Sequence, residues 1–284
     1  MTTVSKPISS SHEPGQPPAS EQPAEAALRI RYRIRFAKQG LLKWISHRDL
    51  ARLWERLLRR AGFQLSMTEG FHPKPRIGFP SALALGVEGL NEVVEIELSE
   101  DLSPQEILAR MQADDQPGLM IHRVCRLPAG FGKAKLRRTD YTISMIESAH
   151  ESMVRSAIDR LMAQETVTVE RKKKPLQVRV ADQILRLELA DRLLHLSLAA
   201  SDSASLRPGD VLDLLGLEDW IELGAQITRV GVELHEEPES PDTDCPDTDS
   251  PDTDSPDTAM IAIASPPSTD PEPCPSSNPP PEPE

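Results

Sequence analysis

The C-terminal fifth of this chain limits most strongly what the chain can fold into. Residues 241–258 read PDTDC-PDTDS-PDTDS-PDT, a repeat of proline and aspartate without aliphatic or aromatic side chains. Such a segment cannot bury enough apolar surface to offset the entropy of ordering its backbone, and its like charges extend it. We therefore expect residues 236–284 to form a disordered acidic tail and the proline-rich residues 1–27 to form a disordered arm. The tail is expected to keep the chain soluble or, as a second hypothesis, to compete with RNA for a basic surface of the core.

Positive charge is concentrated in one stretch of the core. The 284 residues carry a formal net charge of −13, but residues 236–284 hold 14 acidic residues and neither lysine nor arginine. Residues 28–76 hold 13 lysines and arginines against three acidic residues, and residues 123–138 hold six against none. Seven of the ten aromatic residues precede residue 80. Basic side chains interleaved with aromatic ones are typical of surfaces that bind single-stranded nucleic acid.

Several classes of protein are excluded by composition. The three cysteines are Cys125, Cys245 and Cys274, and two of them lie in the acidic tail, so a disulfide framework or a cysteine-rich metal or iron–sulfur site is not expected. No apolar run approaches the ~18 residues of a membrane-spanning helix, and the N-terminal residues lack the apolar core of a signal peptide. The chain also shows no motif that reads DNA sequence. We expect a cytoplasmic protein without membrane contact.

The first part of the core predicts the element order β-α-β-β-α-β. Residues 28–36 alternate strictly between apolar residues and arginine, which predicts a strand with one arginine face. Ser46-His47-Arg48-Asp49 is a capping-box pattern, which predicts a helix that starts there and ends at Gly62. The remaining predicted elements are a short strand, a proline-rich loop, a strand, a helix and a strand, at Leu65–Thr68, Gly70–Pro80, Val93–Leu98, Ser103 to the residue before Pro117, and Leu119–Arg126.

The second part of the core repeats this order without visible identity. Its predicted strands lie near residues 141–146, 167–169, 184–189, 193–198 and 227–234, and its helices near residues 153–161 and 208–215. The order β-α-β-β-α-β is typical of a ferredoxin-like sandwich. The predicted fold class is therefore α+β, with two tandem ferredoxin-like (βαββαβ) sandwiches between disordered N- and C-terminal arms. Domain 1 is expected at residues 28–128, a basic linker at 129–139 and domain 2 at 140–235.

Three sequence motifs resemble a known family. They are R-x-R-I-R-F-A-K-Q-G with S-H-R-D-L, then G-F-H-P-K-P-R-I-G-F, then A-L-G-V-E-G-L-N-E-V-V-E-I-E-L. Together they resemble the radical-SAM-linked protein family, bacterial proteins with a domain of unknown function that are encoded beside, or fused behind, a B12-binding radical SAM protein. The resemblance covers roughly residues 28–235.

This resemblance implies a partner rather than an activity. The implied partner is a radical SAM protein, and the family's genomic surroundings suggest work on RNA or the ribosome. The chain lacks the Cys-x3-Cys-x2-Cys pattern that ligates a radical SAM cluster. It is therefore expected to be the companion protein without a cofactor, and any iron–sulfur cluster, SAM or B12 would belong to the partner.

The arginine face of the first strand is one candidate anion-binding surface. Arg29, Arg31, Arg33 and Arg35 space guanidinium groups about 6.6 Å apart along the strand, which suits an extended polyanion. In the predicted fold this strand lies beside the strand that carries Glu95 and Glu97. Cross-strand ion pairs, or docking against domain 2, are therefore the alternative.

A second candidate is an anion pocket at one end of the sheet. Ser46, His47 and Arg48 start a helix whose free N–H groups favour phosphate, and a proline-stiffened loop is expected to approach them in this topology. The pocket residues contributed by that loop are Phe71, His72, Lys74 and Arg76. A capping box and a rigid loop that serve only the fold are the alternative.

Aromatic and helical residues divide in the same way. Trp44, Phe71 and Phe79 lie in loops and are candidates for stacking on bases, whereas Tyr32, Phe36 and Trp54 fall on apolar faces and are expected in the core. The arginines on the outer face of the predicted helix are expected to be solvated or to contribute to binding.

Catalysis is a weaker hypothesis. His47 and His72, with a carboxylate such as Asp49 or Glu69, have the residue types of an acid–base pair or of a two-histidine metal site. Asp49 is expected to be occupied by the helix cap, and the surrounding arginines oppose a cation, so no metal site is assigned. The chain has no glycine-rich phosphate loop, nucleophile elbow or zinc-protease motif.

The favoured function is a non-catalytic accessory protein of a radical SAM enzyme that binds RNA or another polyanionic substrate through its basic surface. One alternative is a protein–protein scaffold for the radical SAM partner that does not contact RNA. The other is a small RNA-modifying or hydrolytic enzyme that uses His47 and His72.

Overall fold

The computed structural model describes residues 28–171, 174–201 and 205–238. The predicted disordered arms therefore lie outside the described residues, except for residues 236–238. The elements of the first half are β1 (Ile30–Lys38), α1 (His47–Arg60), β2 (Ile77–Gly78), β3 (Glu88–Leu98), α2 (Pro104–Gln112) and β4 (Leu119–Arg126). Those of the second half are β5 (Leu136–Ser144), α3 (Glu151–Met162), β6 (Thr166–Arg171), β7 (Lys174–Arg179), α4 (Val180–Gln183), β8 (Ile184–Ala190), β9 (Leu193–Ala199), α5 (Pro208–Leu215) and β10 (Ile227–Leu234). Two short 3-10 turns lie at Gly40–Trp44 and Glu218–Trp220.

The fold is α+β, with one large sheet that runs through both halves. Its strand order is β4-β1-β3-β10-β5-β9-β8, and β2 pairs with β3 beside this path. The two halves meet where β10 pairs with β3 in parallel, with Thr228 opposite Glu88 and Arg229 opposite Gly89. The other pairings among the described strands are antiparallel. Strands β6 and β7 form a separate two-stranded sheet.

The alternation in β1 separates a core face from an arginine face. Tyr32, Ile34 and Phe36 are buried in one cluster with the apolar side of α1 and the inner residues of α2, β3 and β4. Trp54 of α1 joins them, with its ring 4.9 Å from that of Phe36. The prediction that Tyr32, Phe36 and Trp54 lie in the core is therefore confirmed.

Several predicted elements differ in extent. The segment Leu65–Thr68 makes only an isolated bridge to β3, because residues 66–76 fold back on themselves and the pairing with β3 resumes at Ile77. The predicted linker 129–139 ends earlier than expected, since Leu136 already pairs with Leu234 and begins β5. The strand near Val167 belongs to the separate β6–β7 hairpin rather than to the main sheet.

Within the described ranges, no helix combines the length and the apolar character that a membrane crossing requires.

Candidate anion-binding surfaces

The arginine face of β1 is paired across the sheet. Arg33 lies opposite Glu95 in the register of β1 and β3, and its guanidinium donates to Glu95 Oε1 at 2.8 and 3.1 Å. Arg31 donates to Oε2 of the same carboxylate at 2.7 Å. The Arg33 side chain is only 2% exposed. Cross-strand ion pairing, one of the two alternatives for these arginines, is thus present at Arg31 and Arg33.

The two ends of this face are also paired. Arg29 donates to Glu69 Oε1 at 2.7 Å, and this hydrogen bond holds the pKa of the Glu69 carboxyl below its usual value. Arg35 donates to the carbonyl oxygen of Val232 at 2.7 Å and forms an ion pair with Glu237. An external anion would therefore have to displace carboxylates that the chain itself supplies.

Two segments of chain cross the arginine face. In the linker between β4 and β5, the carbonyl oxygen of Phe131 accepts from Arg31 at 2.5 Å, and the Phe131 ring lies 5.5 Å from the Arg33 guanidinium. Residues 235–238, which we name the C-terminal strap, follow β10. The carbonyl oxygen of Glu236 accepts from Arg33 at 2.7 Å, and the Glu237 carboxylate accepts from Arg33 at 3.1 Å.

The N-terminus of α1 is capped as the sequence predicts. Ser46 Oγ accepts from the backbone N–H of Asp49 at 3.2 Å and donates to the Asp49 carboxylate at 2.7 Å. The hydrogen bond from Ser46 holds the pKa of Asp49 below its usual value. The start of α1 therefore already carries a carboxylate that interacts favourably with the helix dipole.

The predicted pocket between the start of α1 and the loop Phe71–Arg76 is not assembled. Residues 66–76 form a small hairpin, in which Arg76 N–H donates to the carbonyl oxygen of Ser66 at 2.9 Å. Both strands of the hairpin are bonded to the backbone of Glu97, near the C-terminal end of β3.

The start of α1 lies at the other end of the same strands. It follows the end of β1, where Lys38 pairs with Gly89 at the start of β3. The two ends are separated by about 26 Å of strand at about 3.3 Å per residue. The expectation failed because the true connection from β2 to β3 is the later segment 79–87, whereas the proline-rich loop protrudes from within the second strand position.

The hairpin residues are placed separately from Ser46, His47 and Arg48. Phe71 is fully exposed near the hairpin tip, and the Lys74 backbone pairs with that of Thr68 at 2.8 Å. Arg76 lines a cleft of about 390 Å³ between β2 and the linker. The other charged residues of this cleft are Arg31, Glu95, Glu97 and Lys133. Arg31 is paired with Glu95, and Arg76 lies 3.6 Å from Glu97, so most of the charge of the cleft is neutralised within it.

A different group of residues gathers near the start of α1. We name residues 40–48 together with residues 84–88 the Trp44 end. Gly86 N–H donates to the carbonyl oxygen of Lys43 at 2.8 Å, and the Lys43 ammonium lies 3.7 Å from Glu88. The Trp44 ring packs against Gly86, where even a methyl group would lie 3.2 Å from the ring, yet the side chain remains 61% exposed. The indole is therefore an exposed surface on a fixed backbone.

The outer face of α1 carries both paired and unpaired arginines. Arg52 lies 3.4 Å from Asp49, Arg59 3.0 Å from Glu55 and Arg60 2.7 Å from Asp114. No ion pair or hydrogen bond occupies the guanidinium groups of Arg48 and Arg56 among the residues that the structure describes, and both side chains are exposed. These two arginines and Trp44 are therefore the predicted binding groups that remain open to a ligand.

The four residues considered for catalysis are not brought together. The His47 ring contacts Phe79 at 5.2 Å near the start of α1, whereas His72 lies in the hairpin at the opposite end of β3. Asp49 is bound to Ser46, and Glu69 is paired with Arg29. Nowhere in the described ranges do three or more His, Cys, Asp or Glu side chains gather in a group that could hold a metal ion.

A buried charge cluster at the junction of the halves was not predicted. Arg229 of β10 donates to Glu92 Oε1 at 2.7 Å and to Ser81 Oγ at 2.9 Å. Lys38 is also buried here, and burial lowers the pKa of its ammonium. The sequence does hold a signal, because Glu92 shares its face of β3 with apolar residues. An acid at such a position requires a buried cation.

Comparison with known proteins places the chain in a sequence family. Residues 31–208 match the family model described as "Uncharacterized protein conserved in bacteria (DUF2344)". None of the curated protein sequences matches the chain.

Solved structures give low similarity. A crystal structure of a Cbf5–Nop10–Gar1 complex aligns with a TM-score of 0.36 at 10% identity, over 71% of this chain and 48% of that one. An H/ACA RNP bound to a substrate RNA containing 2'-deoxyuridine gives a TM-score of 0.35 at 9% identity, over 71% and 47%. A putative glycine cleavage system transcriptional repressor gives 0.23 at 12%, over 74% and 99%. The chain thus spans about half the length of the first two, and at these TM-scores the likenesses decide neither fold nor function.

Proposed function

The chain belongs to the bacterial family of uncharacterized conserved proteins DUF2344, and from this premise we propose that it binds single-stranded RNA at the Trp44 end. The observation that carries the proposal is the exposed Trp44 indole on a backbone held by Gly86 and Glu88. Aromatic side chains stack on bases of any sequence, and a stacking surface that is already ordered loses little entropy on binding.

The surrounding charge supports a polyanion at this end. Arg48 and Arg56 are exposed on α1 without carboxylate partners among the described residues, and Lys43 lies 5.6 Å from the centre of the Trp44 ring. Cations beside a stacking ring follow the phosphate backbone of a single strand. The two arginines lie two turns apart on one helix, about 12 Å at ~1.5 Å per residue, which matches about two phosphates of an extended strand.

In the cell we propose an accessory, non-catalytic role beside a radical SAM enzyme in the cytoplasm. This part of the proposal is supported by the resemblance of the motifs around Ser46, His72 and Glu95 to the radical-SAM-linked proteins. In this role the chain presents RNA or another polyanionic substrate, and the partner supplies the iron–sulfur cluster, SAM and B12.

We also propose that the core consists of two ferredoxin-like units that share one sheet. The strand orders support this proposal. The first half has the order β4-β1-β3-β2 and the second half has β10-β5-β9-β8, so each half places its strands in the spatial order fourth, first, third, second. On this proposal, β6 and β7 are an insertion between the first helix and second strand of the second unit.

Tryptophan fluorescence gives a direct test of RNA binding. The chain has three tryptophans, and Trp54 and Trp220 are buried while Trp44 is exposed. Addition of a single-stranded oligoribonucleotide should quench the exposed fraction of the emission, and the quenching should weaken steeply with salt. Trp44→Leu should abolish the quenching and lower the affinity about 5- to 150-fold, the equivalent of about 1–3 kcal/mol for one stacked base.

The control variant is Phe71→Leu. Phe71 is an exposed aromatic residue outside the Trp44 end, so its replacement should leave the affinity unchanged. Equal losses from both variants, or binding that does not depend on salt, would contradict the proposed site.

A protein-binding role at the same end is the second candidate. Leu41 and Leu85 are exposed beside Trp44, and apolar side chains grouped with an aromatic residue are also typical of protein interfaces. Leu41→Ser with Leu85→Ser should then remove binding of the radical SAM partner while RNA binding persists. Pull-down with the purified partner and oligonucleotide titration of the same variant separate the two functions.

A further inference from the structure

The arginine face of β1 is covered by the chain's own acidic strap. We propose that this face is a binding site for an extended acidic peptide, that the C-terminal strap fills it within the chain, and that an acidic segment of a partner protein can replace the strap. The site does not include the Trp44 end and is independent of RNA binding there.

The charges of the face require an anionic occupant. Arg31, Arg33 and Arg35 of β1 face a single carboxylate of β3, that of Glu95. Arg123 of β4 lies opposite Arg35 in the register, so it adds a further cation to the same face. Without the strap, four guanidinium groups would share one carboxylate. An uncompensated cation as buried as Arg33 is strongly unfavourable.

The contacts of the strap define the chemistry that the site recognises. One oxygen of the Glu237 carboxylate accepts from Arg33 at 3.1 Å, and the other pairs with Arg35. The carbonyl oxygen of the preceding residue, Glu236, accepts from Arg33 at 2.7 Å. The site thus binds a side-chain carboxylate and the adjacent main-chain carbonyl together. That combination belongs to an acidic peptide and not to a nucleic-acid backbone.

The strap is held in a way that permits exchange. His235 N–H donates to the carbonyl oxygen of Lys135 at 2.9 Å, which is the last backbone hydrogen bond after β10 among the described residues. Beyond it the strap is fixed by Arg33 and Arg35 and by the burial of Pro238. The Glu237 side chain is 46% exposed, and ion pairs open to water contribute little stability. A competing peptide that carries the same groups can therefore displace it.

The test uses the full-length chain and a fluorescein-labelled peptide of residues 236–244, EEPESPDTD. In the wild type the tethered strap competes at an effective concentration in the millimolar range. Glu237→Gln weakens the strap, so this variant should bind the peptide at least ~10-fold more tightly than the wild type in fluorescence anisotropy. Adding Arg35→Gln to that variant should abolish binding.

Matched controls separate this site from general charge effects. Arg155→Gln in the Glu237→Gln background removes a cation on α3 and should leave peptide binding unchanged. The peptide QQPQSPNTN should not bind. Thermal unfolding identifies variants that fail to fold, and Arg35→Lys, which keeps the charge and loses the two-pronged geometry, then gives an intermediate affinity.

Three outcomes would overturn the proposal. The first is the absence of peptide binding to folded Glu237→Gln, and the second is binding that survives the loss of Arg35. The third is Arg35-dependent binding of a nine-nucleotide RNA with no binding of the peptide, which would assign the face to a different class of partner.

Discussion

Arginine is abundant in two parts of this molecule, the large sheet and the helix α1, and its surroundings differ between them. In the sheet, Arg33 and Arg229 are almost completely buried, and their guanidinium groups are bound by Glu95 and Glu92. On α1, Arg48 and Arg56 are exposed and have no carboxylate partner among the described residues. The same side chain therefore supports the structure in one place and is available to a ligand in the other.

The difference comes from what lies opposite each arginine. A residue on a central strand faces neighbouring strands about 4.8 Å away on both sides, so a charge there needs a partner within the protein. A residue on the outer face of a helix faces water, which already solvates it. A count of basic residues consequently overestimates the surface that can bind an anion.

The largest effect should come from breaking a buried pair of the sheet. Glu92→Ala leaves Arg229 buried without its carboxylate, and we expect a loss of about 3–5 kcal/mol in the free energy of unfolding. Urea denaturation followed by circular dichroism measures this loss. Arg59→Ala, which breaks an exposed pair of α1, should change the same quantity by less than about 1 kcal/mol. Similar losses from both variants would remove the distinction between sheet and helix.

The next effect should come from the open arginines of α1. Replacing both Arg48 and Arg56 by alanine should reduce the slope of log K for RNA against log salt by about 2, one unit for each lost phosphate contact. Affinity at low salt should fall roughly uniformly across RNA sequences. Arg29→Ala removes a cation that is already paired with Glu69, so an equal reduction of the slope by this variant would count against the α1 surface.

A smaller effect is expected at the cap of α1. Ser46→Ala removes the acceptor of the Asp49 N–H and should lower the free energy of unfolding by about 1 kcal/mol. Ser46→Asn, which also caps helices well, should restore most of that loss. Thermal unfolding of the two variants gives the measurement, and an unchanged transition for Ser46→Ala would show that the cap contributes nothing.

The smallest effect is a pH dependence at the other end of α1. The hydrogen bond from Arg60 lowers the pKa of Asp114 below its model value of 3.8. Because the folded-state pKa is depressed, the stabilisation is present above the unfolded value and is lost as pH falls through the folded value. Arg60→Gln should move the Asp114 pKa back up towards 3.8 in a carboxyl NMR titration. If the pKa of Asp114 is the same in the variant, the pair contributes nothing to this dependence.

Local patterns were predicted well because they depend on neighbours in the sequence. The period of two in residues 28–36 placed Tyr32 and Phe36 in the core, and the Ser46–Asp49 spacing gave the cap of α1. The relation of the hairpin to α1 was not predictable in this way. Residues 66–76 bond to themselves before the chain resumes pairing with β3, so a loop that looked like a connection between strands became a protrusion.

By itself, the sequence determined which face of β1 carries arginine and where α1 begins, since side-chain alternation and capping act over a few residues. Only the tertiary structure decided which arginines are free. The carboxylate bound to Arg33 and Arg35 belongs to Glu237, about 200 residues later in the chain, and the partner of Glu92 is Arg229. Such pairings depend on how distant strands and segments are brought into register, and that is settled when the sheet and its core are assembled.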